Sequence, residues 1–533
     1  MSDHAGHASI GPDPRSFRVC LAVLAAIYAL ALGLDVMEPD AAQYAAMTRE
    51  MIASGDWLTF TDRGADYLDK PPLVFWTAGL AFEVLGPSTV AYKLPSLLFI
   101  VLTLVGVYRL GRLHRSESFA RSAVLIAGGT VALHLLVNDC RTDTLLMGAV
   151  TFATWQGAAF LAHGRTRHLA GLGLGIGLGM LAKGPLGLVV PAMALGPHAI
   201  LTGAWRRLVD PRVALVPAVV GVLLAPMFIG LHRQFGRDGI EFYLWTQSFG
   251  RITGENEWQN TAGPFFFVHT SAWALLPFTP LVVAGLVRSV RERPLRWIAL
   301  AGLVLPFIAL SFSRFKLPHY IYIVTPFAAL VAVDGLRTLP TRVWRMLFAG
   351  LGALLAIGTL ALAVAAFPET AWTVRLGIVA ALGVLAGLAW ATLRHPVSLG
   401  VLASCAGFLG VNAVLYPNVL RHQSGAVLVR HMEARDLDVD RLYQHRVWSR
   451  SMDFYAGHAI PGIGAFEGDD FPVWVYTDDA GLDDLRTRYT TGTPTAFTHM
   501  PPTRLTLSFL LPHRRPRTLR HRYLIPLHAN RTP

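Results

Sequence analysis

The chain has 533 residues, 53% of them hydrophobic and 15% charged, with a mean hydropathy of +0.45. Soluble domains carry about 25% charge, so the composition excludes a soluble globular chain and indicates a polytopic α-helical membrane protein. The net charge of +12 does not indicate nucleic acid, because the arginines fall in short loops between apolar runs, as cytoplasmic loops require.

Residues 1–15 are polar and read as a tail. The first apolar run, Phe17 to Leu34, reads as an uncleaved anchor, since no small-x-small cleavage site is evident and many apolar runs follow. An acid-rich loop comes next, from Asp35 to Trp76. It holds Asp35, Glu38, Asp40, Glu50, Asp56, Asp62, Asp66 and Asp69, then Lys70 at a Lys-Pro-Pro turn. A cluster of acids beside a span is costly unless it has work to do, so this stretch is predicted to be a catalytic loop. Within it a helix is predicted over 41–53, and Asp40 stands where an aspartate can act as an N-cap. The segment 71–86 is apolar but too short to span, and is predicted to lie along the interface.

Further spans are predicted over 91–110, 119–138, 142–162, 168–184, 186–203, 213–232, 265–287, 295–312, 319–336, 345–366, 373–393 and 397–416. With the first they make about thirteen, each near the length that crosses a bilayer. Cys20, Cys140 and Cys405 lie in or beside separate runs with no CxxC pair, which argues against a disulfide framework or a thiolate metal site. Loops bearing Arg109, Arg112 and Arg115, then Arg165 and Arg167, then Arg206, Arg207 and Arg212, alternate with loops that hold most of the acids, and later loops continue the pattern. The positive-inside rule places the N-terminus in the cytoplasm and the acidic loops outside, and an odd span count places the C-terminus outside. From Tyr416 the hydropathy falls. A polar helix, strand-like stretches at Arg441–Tyr443, Val473–Tyr476 and Leu505–Leu510, and turns at 465–470 and 478–483 predict a small outer α/β domain over 417–533. Its basic end, His513 to Arg522, reads as a headgroup contact or a solvated tail.

The outer ends of the spans collect polar groups. They are Asp35, Glu38, Asp40 and Lys70; Asn138, Asp139, Arg141 and Asp143; Lys183 in Lys-Gly-Pro; Arg233, Arg237, Glu241, Arg251, Glu255 and Glu257; and the turn from Ser313 to Tyr320. Each alone reads as a solvated loop charge. Together they fit a pocket whose cations hold an anion and whose carboxylates handle a proton. A lipid-linked phosphate suits such a pocket, because its charge must stay at the interface while its tail lies between helices.

Glu38-Pro39-Asp40, Tyr44, Arg49-Glu50-Met51, Ser54-Gly55-Asp56-Trp57, Lys70-Pro71-Pro72-Leu73, Leu94-Pro95-Ser96, Arg141-Thr142-Asp143-Thr144-Leu145-Leu146, Lys183-Gly184-Pro185 and Ser313 to Tyr320 resemble, in order, the motifs of the ArnT-like aminoarabinose transferases and their protein O-mannosyltransferase relatives. The resemblance implies a GT-C fold in the bacterial inner membrane, with the active site on the periplasmic side. It implies sugar transfer from a polyprenyl-phosphate donor, usually undecaprenyl phosphate, to a lipid, glycan or protein acceptor, with lipid A modification among the outcomes. Carried over by residue, Asp40 matches the catalytic acid of the first loop and Asp143 the second functional aspartate. Lys70 matches the donor-phosphate lysine, Arg251 the arginine of the long outer loop, and Tyr320 the aromatic near the phosphate. Lys316 is expected to join the phosphate contacts. Ala41 and Gln43 depart from the family's Glu and Arg, and Asp69 from its Glu. Ser248 and Asn260 stand where histidines are expected, so a divalent metal is left open, as are the sugar and the acceptor.

Two other classes fit the composition. A transporter would place ionisable groups near the middle of spans, whereas here they sit at span ends with no inverted repeat. A non-catalytic scaffold with an outer binding domain draws its support from the missing Glu after Asp40.

Overall fold

A computed structural model describes residues 11–247, 262–291, 297–392, 395–467, 470–500 and 505–528. Every apolar run predicted to span is mainly helical over its described residues, with breaks at 129–130 inside the 119–138 run and at 275–278 inside the 265–287 run. Among them seven helices are alone long and apolar enough to cross a bilayer, or up to nine if each of two bent pairs is one span. The bent pairs are Glu117–Gly128 with Val131–Asn138, at 53°, and Phe266–Ala274 with Thr279–Ser289, at 117°. The remaining segments are shorter. Leu186–Leu201 has 16 residues, about 24 Å of helix against a hydrocarbon core of about 30 Å. The Thr142–His163 helix runs through the middle of the bundle and is mostly buried, while Thr341–Ala361 and Trp372–Ala391 lie at its edge with most of their surface exposed.

The acidic loop is itself folded. Asp40–Ser54 is a helix ended by Gly55, and a two-strand hairpin follows, β1 (Thr61–Asp62) with β2 (Ala65–Asp66). Its turn residues Arg63 and Gly64 have φ of 58° and 78°, the sign that two-residue hairpin turns favour because it matches strand twist. The helix Leu73–Leu85 then covers 13 residues, about 20 Å and too short to span.

The C-terminal part carries a five-stranded mixed sheet. β3 (Leu442–Gln444) runs parallel to β4 (Val473–Thr477), and β4 pairs antiparallel with β7 (Arg520–His528). The other edge of β7 takes β5 (Thr490–Thr491) and β6 (Thr495–His499), both antiparallel. Two of the expected strand regions are found. The third, 505–510, is instead a short helix, Leu507–Leu510, that seats Phe509 against Phe367 of the bundle. Tertiary packing overrides strand preference there. The region 478–483 starts a helix, Asp479–Arg488, capped by the Asp478 side chain on the Gly481 N–H. The basic end, read as a headgroup contact or a solvated tail, leads at Arg520 into the longest strand of the sheet, which its charges and Pro526 concealed. Phe454, Met500 and Phe509 belong to the same apolar cluster as the bundle, so this part is docked on the membrane helices.

Candidate functional site

A cavity of about 230 Å³ opens at the acidic ends of the spans. Its polar wall is Asp40, Tyr44, Lys70, Arg141, Asp143, Lys183, Gln247 and His319 with Tyr320, and its apolar wall is built chiefly by Leu186–Leu201 and Trp297–Ser311.

Each polar group is placed by local structure. Asp40 is the first residue of its helix, Pro39 holds the cap position, and the cap residue makes no side-chain hydrogen bond. The Asp40 carboxylate instead accepts from Arg141 Nη1 at 2.6 Å. Arg141 stands just before the Thr142–His163 helix, and its Nε donates to Asp139 at 2.6 Å. Two carboxylates therefore aim one guanidinium, whose planar donors suit that task. Asp143 lies in the first turn of the same helix, and Lys183 Nζ donates to its Oδ1 at 2.6 Å. Its Oδ2 lies 3.7 Å from His319 Nε2. Lys183 ends the Thr166–Lys183 helix, where a cation is favoured by the helix dipole. Gly184, at φ of 62°, then turns the chain directly into the next helix. Lys183 Nζ also lies 4.0 Å from the centre of the Tyr320 ring, a cation–π contact. Lys70 pairs with the neighbouring Asp69, whose backbone carbonyl accepts from Gln247.

The structure thus brings Asp40, Asp143, Lys70 and Tyr320 to one volume. Lys316 is not among the residues lining it, and its Nζ donates to the Ala262 carbonyl at 3.1 Å. Arg251, Ser248 and Asn260 lie outside the described residues. In the sequence, Arg141, Lys183 and His319 read as members of the polar pocket and of the family motifs, with no individual role given to them. Their signal was proximity: Arg141 is two residues from Asp143, and His319 adjoins Tyr320. Among the described residues, no group of three or more His, Cys, Asp or Glu is placed to hold a metal.

Most acids of the first loop serve its fold rather than the cavity. Asp35 pairs with Arg430, Glu50 accepts from Thr61 and the Arg63 N–H, and Asp56 caps the Leu58 and Thr59 amides. Asp62 pairs with Arg450, and Asp66 accepts from Gln234.

A bundle of membrane helices carrying paired acids and cations around a cavity at one end, with a small α/β unit docked on that end, is the GT-C architecture. Residues 69–229 match the family model described as dolichyl-phosphate-mannose-protein mannosyltransferase. An undecaprenyl phosphate-alpha-4-amino-4-deoxy-L-arabinose arabinosyl transferase of Edwardsiella ictaluri is 30% identical over 325 residues, covering 58% of each chain. Transferase 2 of that name from Sodalis glossinidius is 28% identical over 312 residues, 56% of each. The chain therefore spans less than two thirds of the length of these relatives. The crystal structure of ArnT from Cupriavidus metallidurans bound to undecaprenyl phosphate superposes with a TM-score of 0.72 at 19% identity, covering 95% of this chain and 97% of that one. The chain is ArnT-like: it resembles these transferases in sequence and shares their GT-C fold as a multi-pass inner-membrane protein.

Proposed function

We propose that the chain is a glycosyltransferase that moves a sugar from a polyprenyl-phosphate donor to a lipid, glycan or protein acceptor on the periplasmic face. The observation that carries this reading is the meeting of two carboxylates, Asp40 and Asp143, with three cations, Lys70, Arg141 and Lys183, at the mouth of an apolar slot. The slot accommodates an isoprenoid tail, and the cations meet the phosphate at its polar end. The similar proteins from Edwardsiella and Sodalis are named for an undecaprenyl-phosphate sugar, and the similar Cupriavidus structure holds undecaprenyl phosphate. Undecaprenyl phosphate is accordingly the carrier proposed.

In this reading Lys70 and Lys183 face the donor phosphate and offset the charge it gains on leaving, in a site drier than bulk water. Arg251 joins that group in this reading, whereas Lys316, bonded to the Ala262 carbonyl away from the cavity lining, does not. Tyr320 packs beside Lys183 and shapes the phosphate end. Asp40, aimed by Arg141, accepts the proton of the acceptor hydroxyl as its oxygen attacks the anomeric carbon. The anomeric C–O bond to the phosphate breaks on the opposite side, so the configuration inverts. Asp143 orients the acceptor. The acidic ends of the spans are periplasmic, the N-terminus is cytoplasmic, and 417–533 forms the periplasmic domain.

Native mass spectrometry of the purified full chain with undecaprenyl phosphate tests the donor assignment. Retention of one carrier per chain is expected, reduced at least about tenfold in Lys70→Ala, as for a lost charge-assisted contact. Equal retention by the wild type and Lys70→Ala would remove Lys70 from the site.

A further inference from the structure

The chain just before Asp40 is held almost entirely by the C-terminal unit. Glu38 Oε1 accepts three hydrogen bonds, from Ser449 Oγ at 2.6 Å, the Ser451 N–H at 2.8 Å and Ser451 Oγ at 2.9 Å. The Glu38 N–H donates to Gln423 Oε1 at 2.9 Å, and Gln423 Nε2 donates to the Val36 carbonyl at 2.8 Å. The Val36 N–H donates to the Tyr455 hydroxyl at 3.1 Å. Gln423, Ser449 and Ser451 are all buried. This grip passes directly to the helix that carries Asp40, whose first bonds run from the Ala42 N–H to the Met37 carbonyl and from the Gln43 N–H to the Pro39 carbonyl.

The same unit holds the loop elsewhere. Arg430 pairs with Asp35 through Nη1 and Nη2, at 2.9 and 2.6 Å. Asp453 holds Arg63 at 2.7 and 2.6 Å. Arg63 is a non-glycine residue at positive φ, a conformation that persists where the surroundings over-determine it. Arg49, on the Asp40 helix, donates to the Phe454 carbonyl at 2.7 Å. Close approach is built in: a Cβ on Gly425 would lie 1.8 Å from Ser449 Oγ. The helix Ser424–Glu433 can therefore press Ser449 onto Glu38 only with glycine at 425.

We infer that Glu38 is a positioning residue, and that the C-terminal unit is a brace that sets the Asp40 carboxylate through it. The inference rests on the base role proposed for Asp40. A half-buried carboxylate, one oxygen of which takes three donors from two buried serines, is a stiff anchor. Truncating it leaves the buried Ser451 N–H without its acceptor and, among the described residues, the two serine hydroxyls with only each other to donate to, 3.1 Å apart. The backbone two residues before Asp40 shifts to relieve them. A displacement of about 1 Å at a reacting group can cost about 10²-fold in rate without weakening substrate binding.

The test uses the full-length chain with three variants: Glu38→Ala, Glu38→Gln, and the double variant Ser449→Ala/Ser451→Ala. Transfer kinetics are measured together with amide hydrogen exchange over residues 36–46. In Glu38→Ala and the serine double variant, kcat is expected to fall at least about tenfold, with donor KM within about twofold, and exchange over 36–46 to rise. Glu38→Gln keeps an acceptor oxygen and is expected to recover most of the lost kcat. Unchanged kcat and exchange in the folded double variant would overturn the inference, as would a rise in KM at constant kcat, which marks a substrate contact instead. If Glu38→Ala does not fold, the double variant and Glu38→Gln carry the comparison. Absence of transfer by the wild-type chain overturns the transferase reading, whereas loss confined to the variants with faster exchange supports the brace.

Discussion

At the residue scale, the two readings that the sequence left for Asp40 differ in where its carboxylate points. Pro39 occupies the cap, and the Asp40 carboxylate bonds Arg141. Asp40→Ala therefore loses no capping bond. Asp40→Asn and Asp40→Ala are both expected to fold with melting temperatures close to each other and to slow transfer by about 10²-fold or more, the size of lost general-base catalysis. Thermal unfolding and turnover of the two variants check this. A marked stability gap between them, with Asp40→Asn fully active, would return Asp40 to a structural role and make Asp143 the better base. Lys183→Ala should behave differently from Lys70→Ala. Asp143 is buried and its short bond is to Lys183, whereas Lys70 pairs with its neighbour Asp69. Removing Lys183 strands a buried charge, a loss that typically costs several kcal/mol. Lys183→Ala is thus expected to lower both stability and transfer, and Lys70→Ala transfer and donor binding alone. Asp40 and Asp143 were legible in the sequence because each sits in a short motif. Lys183 was not legible as a partner of Asp143, because a pairing across 40 residues leaves no local pattern.

At the element scale, the helical character of the apolar runs was legible from their hydropathy, but the roughly thirteen spans expected are not all found at bilayer length. Among the described residues seven helices have that length, or up to nine with the two bent pairs, and helices such as Leu186–Leu201 are shorter. The acidic loop was legible because its charges break the hydropathy. What could not be read is where those charges go. Asp35, Glu38 and Asp62 find Arg430, Ser449 and Arg450, 388 to 411 residues away. The C-terminal sheet was half legible, since β3 and β4 are short apolar runs while β7 mixes arginines with a proline. That unit holds a pH dependence of its own. Burial, with nearby arginines, holds His422 down to about 4 and His499 to about 4, against an ordinary 6.5. Nδ1 of His422 lies 2.7 Å from Thr498 Oγ1, and Nδ1 of His499 lies 2.8 Å from Ser424 Oγ. The unfolded chain takes up these protons near 6.5 and the folded one only near 4. Between those values the unfolded state binds more protons, so stability is full above 6.5 and declines as pH falls toward 4. Unfolding midpoints across this window are expected to fall with pH, with a shallower slope in His499→Gln. An unchanged slope would remove His499 from the effect.

At the scale of the whole molecule, architecture is retained far beyond sequence. Identity of 28 to 30% runs over only 56 to 58% of the chain, yet the fold follows the Cupriavidus structure over 95% of it. The alternation of arginine-rich and acidic loops made the orientation readable as an expectation. A reporter fused after Arg430 is expected to be active only as a periplasmic fusion, and activity confined to the cytoplasm would invert the topology. The charged residues of the cavity gather at one end of the helices, the placement that separates an interfacial transferase from a transporter with midplane ion sites. The most direct measurement is single-turnover transfer by the purified full chain, supplied with an undecaprenyl-phosphate-linked sugar and inner-membrane lipids, and compared with Asp40→Asn. The account predicts a glycosylated product and free undecaprenyl phosphate in equal amounts from the wild type, with the rate reduced about 10²-fold or more in the variant. Equal rates in the two proteins, or release of sugar with no glycosylated product, would contradict it.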